Sequence, residues 1–152
     1  MSDQPVPALE LPATAGKTLS TAERAGKKLV LYFYPKDSTP GCTTEAQQFR
    51  DLHALFAQAG CEIVGVSRDS LKSHENFKAK QELPFELASD AEEKACALFD
   101  VIKMKNMYGK QVRGIERSTF VIDANGAIRR VWRGVKVAGH AQEVLDFIKT
   151  LN

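Results

Sequence analysis

The sequence predicts an α/β fold in which helices flank a mixed central sheet. Three observations support this class: strand and helix patterns alternate in the first half, a tight hairpin pattern follows, and an amphipathic segment comes last. Alternating strands and helices favour parallel pairing, whereas a hairpin pairs its two strands antiparallel. We therefore expect a sheet that is parallel in its first half and antiparallel in its second.

The clearest elements lie between residues 28 and 66. Residues 28–34 are apolar on both faces, which indicates a central buried strand. Residues 43–59 carry apolar side chains at three- and four-residue spacing, which predicts an amphipathic helix ended by Gly60. Residues 61–66 predict the next strand.

The remaining elements have weaker local patterns, including capping boxes and turn residues. We predict a short strand at 8–11 and a helical turn opened by Ser20, with Glu23 as its capping partner. A helix at 73–81 before Pro84 and a strand at 85–88 follow, and then a helix that runs from Asp90 to Phe99, with Glu93 as the capping partner of Asp90. The last elements are strands at 118–122 and 127–132, joined through Asn125-Gly126, and a helix at 141–151. This order matches a thioredoxin-like architecture.

Composition narrows the function classes. The 152 residues suit one domain spanning 1–152, and 21 basic against 19 acidic residues leave a net charge of only +2. A charge this small gives no field that would attract nucleic acid or an anionic membrane. We expect neither as a partner.

Compartment is indicated by the cysteines and by the N-terminal residues. Three widely spaced cysteines do not form a disulfide framework and fit a reducing environment. No secretory signal pattern is present in the first residues, and no apolar run approaches the roughly 20 residues that span a bilayer. We expect a cytoplasmic protein.

The loop before the 43–59 helix carries the chemistry. Cys42 falls in the first helical turn, where unpaired N–H groups and the helix dipole favour a thiolate. Pro35 stiffens the loop, and Gly41 lets the backbone approach a ligand. Thr39 has a hydroxyl that can face a molecule near the sulfur, or it is an ordinary turn residue. A buried structural cysteine is the alternative for Cys42.

Four segments of the chain resemble the peroxiredoxins, and within them the bacterioferritin comigratory protein, or PrxQ, subfamily. The first contains the pattern Pro-x-x-x-Thr-x-x-Cys, in the fuller run Tyr-Pro-Lys-Asp-x-Thr-Pro-Gly-Cys-Thr-Thr-Glu. The others are residues 106–110, 114–120 and 135–140. The resemblance extends over nearly the whole chain, so it does not rest on one motif.

The resemblance implies a thiol-dependent peroxidase for hydrogen peroxide and organic hydroperoxides. Cys42 would attack the peroxide and become a sulfenic acid, Thr39 would hydrogen-bond the peroxide oxygens, and Arg117 would hold the thiolate and polarise the O–O bond. Pro35 would shield the thiolate, and the N–H groups of Gly41 and Cys42 would stabilise developing charge. Without the resemblance, Arg117 is an ordinary surface arginine. Glu45 orients Arg117 or is merely a favourable first-turn charge.

Regeneration departs from the subfamily pattern. The resolving cysteine of related proteins lies five residues after the peroxidatic one or on the following helix, where this chain has Gln47 and Lys78. We therefore favour a one-cysteine cycle in which an external thiol, such as thioredoxin, glutaredoxin or a low-molecular-weight thiol, attacks the sulfenic acid. Cys96 is the internal alternative as a resolving cysteine. Otherwise Cys61 and Cys96 are small buried apolar residues.

Other classes of function are weaker. A thiol–disulfide oxidoreductase needs Cys-x-x-Cys, but Glu45 occupies the second position. A cysteine hydrolase would pair Cys42 with a histidine, and His140 is the one that the sequence leaves open. The cysteines and histidines lack metal-ligand spacing, and no phosphate-binding glycine loop is present, so we expect no metal and no cofactor. The resemblance implies a monomer.

Overall fold

The computed structural model describes residues 4–22 and 26–151. Four α-helices and two small hairpins pack around a six-stranded sheet within these residues. The helices are α1 (Pro40–Gln58), α2 (Leu71–Gln81), α3 (Lys94–Leu98) and α4 (His140–Ile148). The strands are β1 (Gln4–Pro5), β2 (Glu10–Pro12), β3 (Thr18–Ser20), β4 (Lys28–Phe33), β5 (Cys61–Ser67), β6 (Glu86–Ser89), β7 (Ile102–Met107), β8 (Lys110–Ile115), β9 (Ser118–Ile122) and β10 (Ala127–Arg133).

The central sheet has the order β1-β10-β9-β4-β5-β6. β4, β5 and β6 pair in parallel, while β4, β9, β10 and β1 pair antiparallel. The sheet is thus parallel in the half formed first along the chain and antiparallel in the other. This confirms the predicted mixed sheet flanked by helices.

β4 lies in the middle of the sheet and separates two apolar cores. Its side chains alternate between the faces. Leu31 and Phe33 pack into a core with the β2–β3 hairpin and α3, and Val30 and Tyr32 pack into a core with α1 and α4. All four side chains are 0–1% exposed, which explains why this segment is apolar on both faces.

α1 positions the sequence-predicted loop against this second core. It contains 19 residues, of which Phe49 and Phe56 are fully buried while Asp51 is exposed. This one-sided burial explains the apolar spacing in the sequence. Among residues 4–22 and 26–151, no helix has the length and apolar character needed to cross a bilayer.

The structure corrects two local predictions. Ser20 ends β3 and does not open a helical turn, and its predicted partner Glu23 lies outside the described residues. The helix predicted from Asp90 begins only at Lys94, because Glu93 has a left-handed backbone conformation with φ 60°. The Asp90 carboxylate instead accepts the N–H groups of Ala95 and Cys96, at 3.0 and 2.8 Å.

The sequence patterns also missed a hairpin. β7 and β8 pair antiparallel through the turn at Tyr108 and Gly109. Most of β8 is exposed, and β7 alternates lysine with apolar residues without a turn signal as strong as Asn-Gly. The hairpin brings Lys105 towards the region of Cys42, as described below.

Candidate active site

Cys42 lies where β4 leads into α1. It is the third residue of α1 and is 2% exposed. Pro40, at the first helical position, has no N–H to leave unpaired, and the N–H of Thr43 donates to the carbonyl of Thr39 at 2.9 Å. The N–H groups of Gly41 and Cys42 therefore lack an intrahelical acceptor and give this end of α1 its positive character.

Arg117 contacts the sulfur from the strand side. The residue precedes β9, and its Nη2 donates to Cys42 Sγ at 3.5 Å. Its Nη1 donates to Glu45 Oε1 at 2.6 Å. The structure thus brings together three of the residues predicted from sequence, and Glu45 holds Arg117 against Cys42.

Electrostatics keep this guanidinium charged. Burial alone would lower the pKa of Arg117, but Glu45 and Cys42 outweigh that effect, so the pKa is raised. Glu45 is fully buried, and desolvation raises its pKa to about 7 despite the neighbouring Arg117. Its Oε2 atom has no hydrogen-bond partner in the described protein. Near neutral pH, Glu45 therefore exchanges between its charged and neutral forms.

The other loop residues surround Cys42 less directly. Thr39 is half-buried, and its hydroxyl donates to the carbonyl of Lys36 at 2.9 Å, so its lone pairs are left as acceptors. Pro35 is half-buried just after β4. A side chain at Gly41 would place its Cβ 3.2 Å from Arg117 Nη2, so glycine permits the close approach of this guanidinium.

The other two cysteines are not brought to Cys42. Cys96 is buried in the core on the opposite face of the sheet. Burial, followed by the effect of Asp90, raises its pKa well above the usual value of a cysteine thiol. Cys61 begins β5 beyond the far end of α1, and the helical rise from Cys42 to Gln58 alone is roughly 24 Å.

The positions where a resolving cysteine was expected are occupied by engaged polar side chains. Gln47 Nε2 donates to Gln81 Oε1 at 2.9 Å. Lys78 Nζ pairs with Glu86 Oε1 at 2.8 Å. Both side chains help to hold α2 against its neighbours.

His140, the histidine left open for a hydrolase, is directed elsewhere. Its Nε2 lies 2.8 Å from Thr119 Oγ1, and burial lowers its pKa to about 4, so it is neutral at pH 7. Within the described residues, no hydrogen bond joins His140 to Cys42. This arrangement does not support the hydrolase interpretation.

Lys105 is a neighbour of the site that sequence patterns did not identify. Its Nζ donates to the Ile115 carbonyl, two residues before Arg117. Burial lowers its pKa, Arg117 adds to this effect, and Cys42 opposes it. A lysine in an exposed-looking strand has no spacing signal that would link it to Cys42, so no sequence pattern could have found it.

The arrangement has the properties of a nucleophilic thiol site. A sulfur at a helix N-terminus with a guanidinium beside it can attack a small electrophile, and the cation stabilises negative charge that develops there. A site of this kind on a thioredoxin-like fold defines a thiol-dependent oxidoreductase.

Comparisons with known proteins agree with this class. The AhpC/TSA family model matches residues 3–131. Peroxiredoxin Bcp of Xanthomonas campestris is 57% identical over 141 residues, covering 93% of this chain and 88% of that protein. Peroxiredoxin Bcp of Bacillus subtilis is 50% identical over 149 residues, covering 98% of this chain and 95% of that protein.

The solved structures agree as well. A structure of the Xanthomonas campestris bacterioferritin comigratory protein, studied for its alkyl peroxide reduction activity, superposes with a TM-score of 0.91 at 52% identity. The superposition covers 99% of this chain and 98% of the Xanthomonas campestris chain. The chain therefore belongs to the AhpC/TSA family, and within it to the Bcp, or PrxQ, peroxiredoxins, which are thiol-dependent peroxidases.

Proposed function

We propose that the thiolate of Cys42 is the group that attacks the hydroperoxide. The sulfur bonds to the terminal peroxide oxygen, the O–O bond breaks, and the other oxygen leaves with the bonding electron pair and takes up a proton. The products are a sulfenic acid on Cys42 and water or an alcohol. The contact between Arg117 Nη2 and Cys42 Sγ, at 3.5 Å, is the observation that carries this proposal.

Arg117 acts on the charge that moves during this step. It stabilises the attacking thiolate first and the departing oxygen afterwards, together with the N–H groups of Gly41 and Cys42. Glu45 fixes the guanidinium through Nη1, which leaves Nη2 directed at the sulfur. A preorganised cation of this kind needs no rearrangement when the charge develops.

Thr39 and Pro35 shape the peroxide position. The Thr39 hydroxyl already donates to Lys36, so its free lone pairs suit it to accept the O–H of a hydroperoxide. Pro35 covers the approach beside the strand end and excludes water from the thiolate. Both hydrogen peroxide and organic hydroperoxides carry the O–H group that this arrangement needs.

An external thiol completes the cycle by attacking the sulfenic acid, releasing water and forming a mixed disulfide that a second thiol reduces. This one-cysteine cycle is supported by Gln47 and Lys78 at the positions expected for a resolving cysteine. It is also supported by Cys96, which lies on the opposite face of the sheet and is held as a thiol by its raised pKa. Thioredoxin, glutaredoxin and low-molecular-weight thiols are the reductant classes.

The chain acts as one domain and as a monomer in a reducing, cytoplasmic compartment. Both cores share one central sheet, and Cys42, Glu45 and Arg117 all come from the same chain, so the site needs no second copy. The free thiols of Cys42 and Cys96 fit a reducing environment. Light scattering of the reduced protein tests the monomer, and a dimer mass would contradict it.

Substitution of each cysteine tests the assignment of the nucleophile. Cys42→Ser is expected to abolish peroxide turnover with a thiol reductant, whereas Cys61→Ser and Cys96→Ser are expected to keep it. Turnover retained by Cys42→Ser would refute the proposal. Because the two control cysteines are also buried, they match Cys42 for the structural effect of the change.

Intact-mass analysis after one equivalent of peroxide tests the cycle. A gain of one oxygen, or a mixed adduct when a small thiol is added, supports resolution by an external thiol. A loss of two hydrogens, mapped by peptide analysis to Cys42 and Cys96, would establish the internal alternative instead.

A further inference from the structure

The loop that leads to Cys42 is anchored by a buried carboxylate, Asp37. Asp37 is 5% exposed, and its carboxylate accepts three hydrogen bonds from side chains. Tyr34 donates its hydroxyl to Oδ1 at 2.6 Å, while Ser73 Oγ and His74 Nδ1 reach Oδ2 at 2.8 and 2.7 Å. The backbone N–H of Asp37 also donates to Asp69 Oδ2 at 2.9 Å. No step of the proposed peroxide reaction uses these contacts.

A hydrogen bond joins His74 to Asp37, and the contacts of the two imidazole nitrogens show that each of them faces a proton. His74 Nε2 faces the Ala88 carbonyl at 3.0 Å, and because a carbonyl only accepts, Nε2 carries a hydrogen. Nδ1 and Asp37 Oδ2 are 2.7 Å apart, so a second proton must lie between them. The side chains are 0% and 2% exposed, so water cannot replace this contact.

The pair links three parts of the chain. Asp37 belongs to the loop between β4 and α1, His74 belongs to the first turns of α2, and Ala88 belongs to β6. Removing one partner of a buried hydrogen-bonded pair leaves the polar group of the other unsatisfied, which is costly. The loop is therefore fixed to the parallel side of the sheet two residues before Thr39.

A metal ion is a weaker explanation of this cluster. Ligand-type atoms of Asp37, Asp69 and His74 lie within 4.8 Å of one another. However, Asp69 Oδ2 already accepts the hydroxyl of Ser67 at 2.5 Å and the N–H of Asp37. An N–H directed into the cluster repels a cation, and hydrogen bonds already engage both Asp37 oxygens, Asp69 Oδ2 and both His74 nitrogens.

We propose that Asp37 and His74 are positioning residues for Cys42, which fix the loop so that Thr39 and the N–H groups at the start of α1 meet the peroxide. The proposal rests on the proposed role of Cys42 and adds the anchor that sets its surroundings. Displacing such a loop by about 1 Å is enough to slow a reaction roughly 100-fold.

Two amide substitutions at His74 separate its two contacts. An asparagine amide occupies the position of Nδ1 and can donate to Asp37, whereas a glutamine amide occupies the position of Nε2 and can reach only Ala88. We expect His74→Gln to slow oxidation of Cys42 by hydrogen peroxide roughly 10- to 100-fold in single turnover. His74→Asn is expected to stay within about threefold of the wild-type rate.

A second pair of variants controls for general destabilisation. Asp37→Ala removes the anchor and is expected to match the slow His74→Gln variant. Thr21→Val removes a buried hydroxyl that joins Leu9 N and the Pro7 carbonyl, away from the loop, and is expected to keep the wild-type rate. Circular dichroism and urea unfolding establish that each compared variant is folded at the assay temperature.

The rates decide between positioning and simple stability. The positioning role is supported if His74→Gln slows the oxidation of Cys42 while His74→Asn does not, and the two variants have similar free energies of unfolding. Equal rates for the two His74 variants, or an equal loss in Thr21→Val, would overturn it. Failure of the underlying function is distinct, because Cys42→Ser would then retain turnover whatever the His74 variants do.

Discussion

Arg117 and Glu45 are separated by 72 positions in the chain, yet Nη1 of the arginine lies 2.6 Å from Oε1 of the glutamate. Antiparallel pairing of β9 with β4 places Arg117 next to the C-terminal end of β4, where the chain leads into α1. Glu45 lies one turn into that helix. The contact therefore depends on the mixed sheet, and it determines where the second nitrogen of the guanidinium points.

Arg117→Lys tests the pair of contacts that the guanidinium makes with Glu45 and Cys42. A lysine keeps the charge but cannot donate to Glu45 and Cys42 from two fixed nitrogens. We expect the second-order rate constant for peroxide reduction to fall roughly 10²- to 10³-fold, measured by stopped-flow competition. Arg113→Lys is the matched control, because Arg113 makes a two-nitrogen contact with Glu93 on the surface. A similar fall in both variants would contradict a specific role for Arg117.

Glu45 makes stability depend on pH. Burial raises the pKa of Glu45 from 4.5 to about 7, so the folded protein binds a proton that the unfolded chain has already released in this range. The free energy of unfolding therefore declines as pH rises from about 4.5 through 7, by up to about 3 kcal/mol from this group. Glu45→Gln removes the titrating group and with it this decline.

The measurement is urea unfolding of both proteins from pH 4.5 to 8.5. The difference between wild type and Glu45→Gln isolates Glu45, because the two proteins share the titration of His140 and of the surface groups. We expect the difference to change in favour of the variant as pH rises. A difference that is constant with pH, or that favours the wild type at high pH, would be inconsistent with a raised pKa at Glu45.

Strong local patterns were sufficient for the central elements. The strand predicted at 28–34, the helix at 43–59 and the strand at 61–66 correspond to β4, α1 and β5, because each buries a long apolar face. The β7–β8 hairpin was missed because it buries little and has exposed side chains such as Met104 and Val112. A left-handed residue, Glu93, likewise shortened α3 against its capping pattern.

Long-range contacts limited what could be predicted about the site. The thiol at a helix start follows from the loop sequence around Cys42. Arg117 could be assigned only through a family resemblance, since nothing in its neighbours points to a residue 75 positions away. The contact between Asp37 and His74 joins two elements 37 residues apart, and its residues have no recognisable spacing.

Gly65 is expected to be essential for the packing behind the site. A Cβ at this position would lie 2.8 Å from Tyr32 Cζ and 2.9 Å from Leu87 Cδ2. Tyr32 cannot move freely, because its ring stacks on Phe49 at 4.8 Å. We expect Gly65→Ala to lower the free energy of unfolding by about 1–3 kcal/mol in urea titrations.

Gly114→Ala is the control for that substitution. Gly114 also lies in a strand, but the nearest atoms to its Cβ position are 4.0 Å away. We expect Gly114→Ala to change the free energy of unfolding much less than Gly65→Ala does. Equal destabilisation would mean that the loss of strand glycine as such, and not the contact with Tyr32, is responsible.

Lys105 is expected to support the thiolate through its charge. Its ammonium donates to the Ile115 carbonyl beside Arg117, and no carboxylate among the described residues forms an ion pair with it. Burial and Arg117 lower its pKa while Cys42 opposes this, so the ammonium gains from a thiolate nearby. Lys105→Met should therefore slow oxidation of Cys42 by roughly 3- to 10-fold at low salt.

Salt and a neighbouring lysine distinguish this charge effect from a change in packing. Lys105 is half-buried, so raising the ionic strength screens its charge in part, and the difference in rate between wild type and Lys105→Met should become smaller at 0.5 M salt. Lys103→Met makes the same charge change on β7, but Lys103 pairs with Asp100 at 3.4 Å and is expected to leave the rate unchanged. If Lys103→Met slows the reaction as much as Lys105→Met, the effect comes from the net charge of the hairpin and not from the position of Lys105.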